Sequence, residues 1–383
     1  MDTEEHRQLW APSGKQIAAA TITRFMRDAA AHHGIAVADY PALHRWSIDH
    51  MVPFWRELWS FCKVIGNGPG EPSVINADAM PGARFFPDAK INFAENLLRP
   101  ELAGSDADAL VFWGEDKVRR RLTFRQLSGA VSRAQQALAA AGIGEGDRIC
   151  AIVANLPEAI IGMLAASSLG AIWSSCSPDF GVKGILDRFG QIEPKLLIAI
   201  DGYYYNGKTI DIRDKVAEVR SNLPTVQRVV LISYIDDVDA KAPVPAIESA
   251  VRWNEFLRPF SAAKPTFVRL PFNHPLYILY SSGTTGVPKC IVHGAGGTLL
   301  QHLKEHQLHC DIRRGDRVFY FTTCGWMMWN WLASALASGA TLLLYDGSQF
   351  VGGGRTLWEF AQAETMTHFG TSAKYIDALK KSG

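Results

Sequence analysis

Long apolar runs are missing from this 383-residue chain. No stretch reaches the ~18 residues needed to span a bilayer, and the longest candidate, Trp331 to Tyr345, is interrupted by Gly339. The opening residues, Met1-Asp2-Thr3-Glu4-Glu5, are acidic and carry no apolar signal core. Cysteine is sparse: positions 62, 150, 176, 290, 310 and 324 form no C-x-x-C pair, and no ligand-like histidine spacing accompanies them. That argues for reduced, mostly buried thiols and gives no metal site. An excess of one charge is also absent, with 39 Lys+Arg against 38 Asp+Glu, so no nucleic-acid footprint is visible. The expectation is a soluble, cytoplasmic protein without a nucleic-acid or membrane partner. At 48% hydrophobic it can bury a large core, and its length suits two or more packed subdomains.

What is present is a run of turn and hydroxyl residues set between two apolar segments. Leu276 to Tyr280 reads as a buried strand and Cys290 to Val292 as the start of another. Between them lie Ser281-Ser282-Gly283-Thr284-Thr285-Gly286-Val287-Pro288-Lys289. Glycines let backbone N–H groups approach a ligand, and successive N–H groups form an anion-binding concavity. The hydroxyls add donors, and Lys289 adds a point charge suited to phosphate. A nucleotide-hydrolase loop is excluded by spacing, because Val287-Pro288 separates Gly286 from Lys289 and no helical pattern follows. A flexible surface hairpin fits poorly with the apolar flanks.

Along the chain, residues 1 to about 70 carry aromatic helical patterns, with Trp55, Leu58 and Trp59 at i, i+3, i+4 spacing, and end in Gly66-Asn67-Gly68-Pro69-Gly70. From Thr123 the pattern becomes regular. Thr123-x-x-Gln126 is a capping box opening a helix with Leu127, Ala130, Val131, Ala134, Leu138 and Ala141 on one face. Strands near 148–154, 171–174, 196–200 and 229–233 alternate with helices from Pro157 and Val182. Ala240 to Pro271 reads as a surface connection. Further alternation follows, with helices near 298–309, 329–337 and 356–363, strands near 317–322, 340–345 and 366–369, and a last helix from Thr371. The fold class is therefore α/β, with mostly parallel sheets covered by helices.

Two other stretches can carry chemistry. Thr322-Thr323-Cys324-Gly325-Trp326-Met327-Met328-Trp329-Asn330-Trp331 follows a strand, and ligands gather beyond strand carboxyl ends. Periodicity alone favours a core role for its aromatics. Thr367-His368-Phe369-Gly370-Thr371 ends a strand and opens a helix, where anions are favoured. His293 and His368 read as structural.

The 279–289 pattern resembles the phosphate-binding signature of the adenylate-forming enzymes, the superfamily of acyl-CoA synthetases, adenylation domains and luciferases. Asn92-Phe93-Ala94-Glu95-Asn96-Leu97-Leu98 is similar to the lead-in of its short-chain acyl-CoA synthetases. The resemblance implies two stacked sheets, an N-terminal extension over 1–70 and an AMP-binding domain over 71–383. It implies that Ser281, Ser282, Gly283, Thr284, Thr285, Gly286 and Lys289 hold the phosphates of ATP. Trp326, Met327, Met328, Trp329 and Asn330 would shape a small acyl pocket bordered by Phe369, Gly370 and Thr371, with Asn330 donating to a substrate carbonyl. The turns Ser177-Pro178-Asp179-Phe180-Gly181 and Tyr203–Lys208 would meet coenzyme A, Phe180 on its adenine and Lys208 on its 3′-phosphate. The implied reaction joins a short acid to coenzyme A through an acyl-adenylate, with acetoacetate foremost and acetate, propionate or butyrate as substitutes. Mg2+ would accompany ATP, with no protein ligand for it in view. The family's adenine turn, ribose-binding aspartate, lid and catalytic lysine lie beyond Gly383, so the expectation is the N-terminal portion of a synthetase. The alternative is a non-catalytic nucleotide-binding remnant.

Overall fold

Buried runs such as Arg148–Ile152, Ile172–Cys176 and Leu196–Ile200 have almost no polar side to turn to water, so they align as interior strands. The computed structural model describes residues 8, 10–235, 247–281 and 286–382. It places these runs in a seven-stranded sheet. In spatial order the strands are Ala250–Arg252, Arg228–Ile232, Leu196–Ile200, Arg148–Ile152, Ile172–Cys176, Pro275–Tyr280 and Cys290–Gly294. Neighbours are parallel except the last pair, which is an antiparallel hairpin.

A second sheet has five strands: His368–Gly370, Arg317–Tyr320, Thr341–Asp346, Asp108–Gly114 and Val118–Thr123. Only the last pairing is antiparallel. Side chains alternate across a strand, and here the alternation separates two apolar clusters. Leu110, Phe112, Val318, Leu342 and Leu344 join the main core, which also contains the seven-stranded sheet. Val111, Trp113, Phe319, Leu343 and Tyr345 point the other way, onto Leu357, Phe360 and Tyr375. The five-stranded sheet is thus a middle layer, apolar on both faces.

Local signals account for the ends of several elements. Thr123 and Gln126 cap the helix Phe124–Ala140 reciprocally, each side chain taking the other's backbone N–H. In the lead-in motif, Asn92 donates to the Ser167 and Val268 carbonyls at 3.0 and 2.8 Å, and Asn96 bridges both backbone groups of Ile65. These two buried amides tie the N-terminal segment to the main body. Trp59 does so apolarly, against Phe86 and Phe272 with ring centroids 5.3 and 6.1 Å apart.

Three expectations need correction. The strand Cys290–Gly294 is exposed rather than buried, because it forms the sheet edge with Ile291 and Val292 facing solvent. The Ala240–Pro271 connection is more than surface loop: Ala250–Arg252 adds the opposite edge strand and Trp253–Leu257 a short helix. The helix expected near 298–309 changes geometry, from an α-helix at Ala295–Leu303 to a π-helical turn at Lys304–His309. Among the described residues no helix is long and apolar enough to cross a membrane.

Trp59→Ala should lower unfolding free energy by about 3–5 kcal/mol, read from the denaturant midpoint. A loss below ~1 kcal/mol would mean that the N-terminal segment is not part of the cooperative core.

Candidate active site

Parallel strands all expose their carboxyl ends at one edge, and in both sheets that edge carries polar residues. Beyond Arg148–Ile152 comes Asn155; beyond Ile172–Cys176 come Ser177 and Asp179; beyond Pro275–Tyr280 comes Ser281. In the second sheet Thr323, Asp346–Gly347 and Thr371 stand at the corresponding ends. The two edges enclose a cavity of about 470 Å³, walled by Asn155, Asp179, Tyr203, Tyr205, Thr323 and Asp346 among others. This is where open α/β sheets place ligands.

The hydroxyl- and glycine-rich loop joins the two strands of the edge hairpin. Its neck is closed by Ser281 N–H donating to the Lys289 carbonyl at 3.0 Å, and Gln191 holds the Pro288 carbonyl at 2.8 Å. Gly286 has φ +156, and Lys289 is exposed. Ser282, Gly283, Thr284 and Thr285 lie outside the described residues. Behind the neck, Tyr280 and Ser174 hydroxyls are 3.0 Å apart. The Arg188 guanidinium lies 4.7 Å from the Phe180 ring centroid and 5.9 Å from that of Tyr280.

The Trp326–Trp331 stretch is helical from Met327 to Ser334, and its side chains diverge. Trp329 is fully buried and donates its indole N–H to Asn155 Oδ1 at 3.0 Å. Trp326 and Met327 are 61% and 44% exposed, and Met328 is half-buried. The four side chains do not share one environment: Trp329 is core, Met328 is half-buried, and Trp326 and Met327 are exposed. Asn330 behaves differently: it is 2% exposed, yet neither amide atom has a partner among the described residues. The buried Thr323 and Thr371 hydroxyls are likewise unpartnered. Buried polar groups are rarely left so; Thr323 and Thr371 lie just beyond strand ends of the second sheet, and Asn330 lies in the helix Met327–Ser334.

Phe369 also requires correction as a pocket wall. Strand alternation turns it to the outer face, where it stacks on Trp358 with centroids 4.9 Å apart. Gly370 faces the other way, and a Cβ there would stand 2.2 Å from the Tyr320 ring. His368 is a structural residue: Nε2 meets the Cys310 carbonyl at 2.9 Å. Phe180 and Lys208 flank the cavity rather than line it; their neighbours Pro178, Asp179 and Tyr205 form its wall. Lys208 is exposed at the tip of a two-stranded hairpin, Gly202–Tyr205 with Lys208–Asp211.

Sequence reading missed Asn155 and Asp346. Asp346 is half-buried at the cavity wall, with acidic neighbours. Burial pushes its carboxyl up to about 7, against the opposing pull of the Tyr234 hydroxyl donating at 3.0 Å. The signal that finds it is position, an acid closing a strand just before Gly347. Behind Asn330, His302 and His306 meet the Ser334 hydroxyl at 2.8 and 3.0 Å, and His306 also reaches the Trp331 carbonyl. Burial holds the two imidazoles down at about 4 and about 3.

With this geometry established, residues 101–383 match the family model of the AMP-binding enzymes, and the chain belongs to that family. Its relatives include acetoacetyl-coenzyme A synthetase of Rhizobium meliloti, 55% identical over 99% of this chain and 57% of the relative. Acetoacetyl-CoA synthetase of Mus musculus is 40% identical over 98% and 56% respectively. Malonamoyl-CoA synthetase of Penicillium aethiopicum is 41% identical over 93% and 52%. The solved acetoacetyl-CoA synthetase of Streptomyces lividans superposes with a TM-score of 0.92 at 42% identity, over 98% of this chain and 57% of that one. The chain thus spans little more than half the length of the relatives it matches.

Because both histidines are disfavoured as cations when folded, the native state binds fewer protons than the unfolded chain between their unfolded pKa near 6.5 and about 4. Their contribution to stability is therefore complete above pH 6.5 and falls as pH drops toward 4. The loss approaches about 1.4 kcal/mol per pH unit for each imidazole. Thermal melts at pH 7 and 4.5 should show it, and a His302→Gln/His306→Gln double variant should show a smaller one. Equal losses in the two proteins would rule out these imidazoles as its source.

Proposed function

We propose that this chain supplies the nucleotide- and acid-binding part of an acetoacetate–CoA ligase. The reaction is acetoacetate + ATP + CoA to acetoacetyl-CoA + AMP + pyrophosphate, through an acyl-adenylate. The observation that carries the acid site is the buried amide of Asn330, without a partner among the described residues, in the helix Met327–Ser334 that follows a strand of the second sheet. Relatives bearing acetoacetyl-CoA synthetase names support the choice of acid.

The first half-reaction joins a carboxylate oxygen to the α-phosphorus and releases pyrophosphate. The acid is already ionised at neutral pH, so no general base is required. The work is positioning and neutralisation of charge. In this reading Ser281, Ser282, Gly283, Thr284, Thr285, Gly286 and Lys289 hold the β- and γ-phosphates. Lys289 is exposed and makes no ion pair among the described residues, leaving its ammonium available for that role. Magnesium enters as part of the MgATP substrate; among the described residues no group of three His, Cys, Asp or Glu side chains offers it a protein site. Asn330 takes the 3-oxo group of the acid, with Met328, Gly370 and Thr371 beside it. The turns carrying Phe180 and Lys208 meet the nucleotide end of coenzyme A. Residues 1–70 are the N-terminal extension, and 71–383 part of the AMP-binding domain.

ATP–pyrophosphate exchange that depends on acetoacetate is the direct test. Nucleotide binding without exchange would favour a binding-only chain. Lys289→Ala should weaken ATP binding about tenfold or more, as expected for a lost charge-assisted contact; unchanged affinity by calorimetry would remove the loop from the phosphate site. Asn330→Leu should erode the preference for acetoacetate over butyrate by about one to two orders of magnitude, and an unaltered preference would place the 3-oxo group elsewhere.

A further inference from the structure

The hairpin that carries Lys208 does not stand on its own contacts. Its backbone is gripped by one buried carboxylate, Glu115, just beyond the strand Asp108–Gly114 of the five-stranded sheet. Glu115, 0% exposed, accepts from Asn206 N–H at 2.6 Å and Gly207 N–H at 2.8 Å, and also from Ser348 N–H at 2.9 Å. Asp346, at the end of the strand Thr341–Asp346, accepts from the Tyr234 hydroxyl, which follows the strand Arg228–Ile232 of the other sheet. Glu115 thus joins the hairpin to the turn after the strand Thr341–Asp346, and Asp346 joins the end of that strand to the seven-stranded sheet.

Space has been cleared for this grip. A Cβ on Gly347 would stand 2.2 Å from the Glu115 side chain, and a Cβ on Gly114 would stand 2.3 Å from the Tyr234 hydroxyl oxygen. Glu115 itself has φ +46, a left-handed conformation costing a non-glycine residue roughly 1–2 kcal/mol. A fully buried carboxylate in a strained conformation, satisfied by three N–H groups from two separate loops, is costly to assemble if an ordinary turn would serve. The other side of the hairpin presents Tyr203 and Tyr205 to the cavity, with Lys208 paired across from Tyr205.

We infer that Glu115 is a positioning residue for coenzyme A: it sets the height and angle of the 203–208 hairpin, so that Lys208 is held where a 3′-phosphate can be read. This rests on the assignment of Lys208 to the coenzyme, and the two claims separate experimentally. Glu115 is a clean handle, because its three partners are all backbone donors. Glutamine at 115 keeps the shape but offers one carbonyl to three N–H groups and turns an NH2 toward the others.

The test is calorimetric binding to the 383-residue protein of coenzyme A, 3′-dephospho-coenzyme A and ATP. Wild type should prefer coenzyme A to its dephospho form, and Lys208→Ala should abolish that preference. Glu115→Gln should weaken coenzyme A binding about tenfold, cut the preference at least threefold, and leave ATP affinity unchanged. Adding Lys208→Ala to Glu115→Gln should cost little more than either alone. If Glu115→Gln does not fold, Glu115→Asp, which retains both oxygens on a shorter stem, should give an intermediate loss of preference with unchanged ATP affinity. A preference lost in Lys208→Ala but kept in the Glu115 variants overturns the positioning claim. So does equal weakening of ATP and coenzyme A. A preference that is absent in wild type or survives Lys208→Ala overturns the coenzyme assignment itself.

Discussion

The chemistry of this chain depends on two sheets being held with their carboxyl edges together. Each sheet alone is an ordinary parallel array that would end in solvent. Alternation of Leu342, Leu343, Leu344 and Tyr345 makes the five-stranded sheet apolar on both sides, so one face must pack on the seven-stranded core and the other on its own helices. That burial is non-directional and sets the layers without setting the register. Register comes from polar contacts at the rim: Tyr234 to Asp346, Glu115 to the 203–208 hairpin, Trp329 to Asn155, and the Ser175 hydroxyl to the Cys324 carbonyl at 2.7 Å. Each joins residues far apart in sequence, and each lies beside the cavity. Shape is thus held by apolar area, and the site by a few directional bonds.

This division explains what could be read from the sequence. The interior parallel strands were legible because they are nearly unbroken apolar runs between glycine and proline punctuation, as at Leu196–Ile200. The helix at Phe124–Ala140 was legible because capping box and apolar face agree. The antiparallel pair Asp108–Gly114 with Val118–Thr123 was not. Its outer member reads Val-Arg-Arg-Arg-Leu-Thr, which resembles a solvated loop. It holds as a strand through contacts invisible locally: Arg119 over the Trp113 ring at 3.7 Å, Arg120 to Glu158, and Arg121 to Asp108 and Glu364. Edge strands are often charged in this way, which also discourages further pairing.

The candidate site divides similarly. A contiguous loop such as 281–289 announces itself, because its hydroxyls, glycines and lysine are adjacent in the sequence. Asp346, Glu115 and Asn155 come from three separate strand ends and carry no local motif; only the shared edge makes them neighbours. Asn330 was visible because it is the one amide in an aromatic run. Its importance, though, lies in a fact that only the folded chain supplies, namely that both amide atoms are buried without partners among the described residues.

Periodicity also limits what a run of similar residues can do. Successive residues on a helix point about 100° apart, so the five bulky side chains between Trp326 and Trp331 cannot all face one ligand. The helix Met327–Ser334 distributes them: Trp329 inward to Asn155, Trp331 against His306 with ring centroids 4.4 Å apart, Met327 outward. In a strand the period is two, and it turns Phe369 away from Gly370. Polar groups at this rim therefore come singly from several elements, and a run of like residues in one element does not bring its side chains to one place.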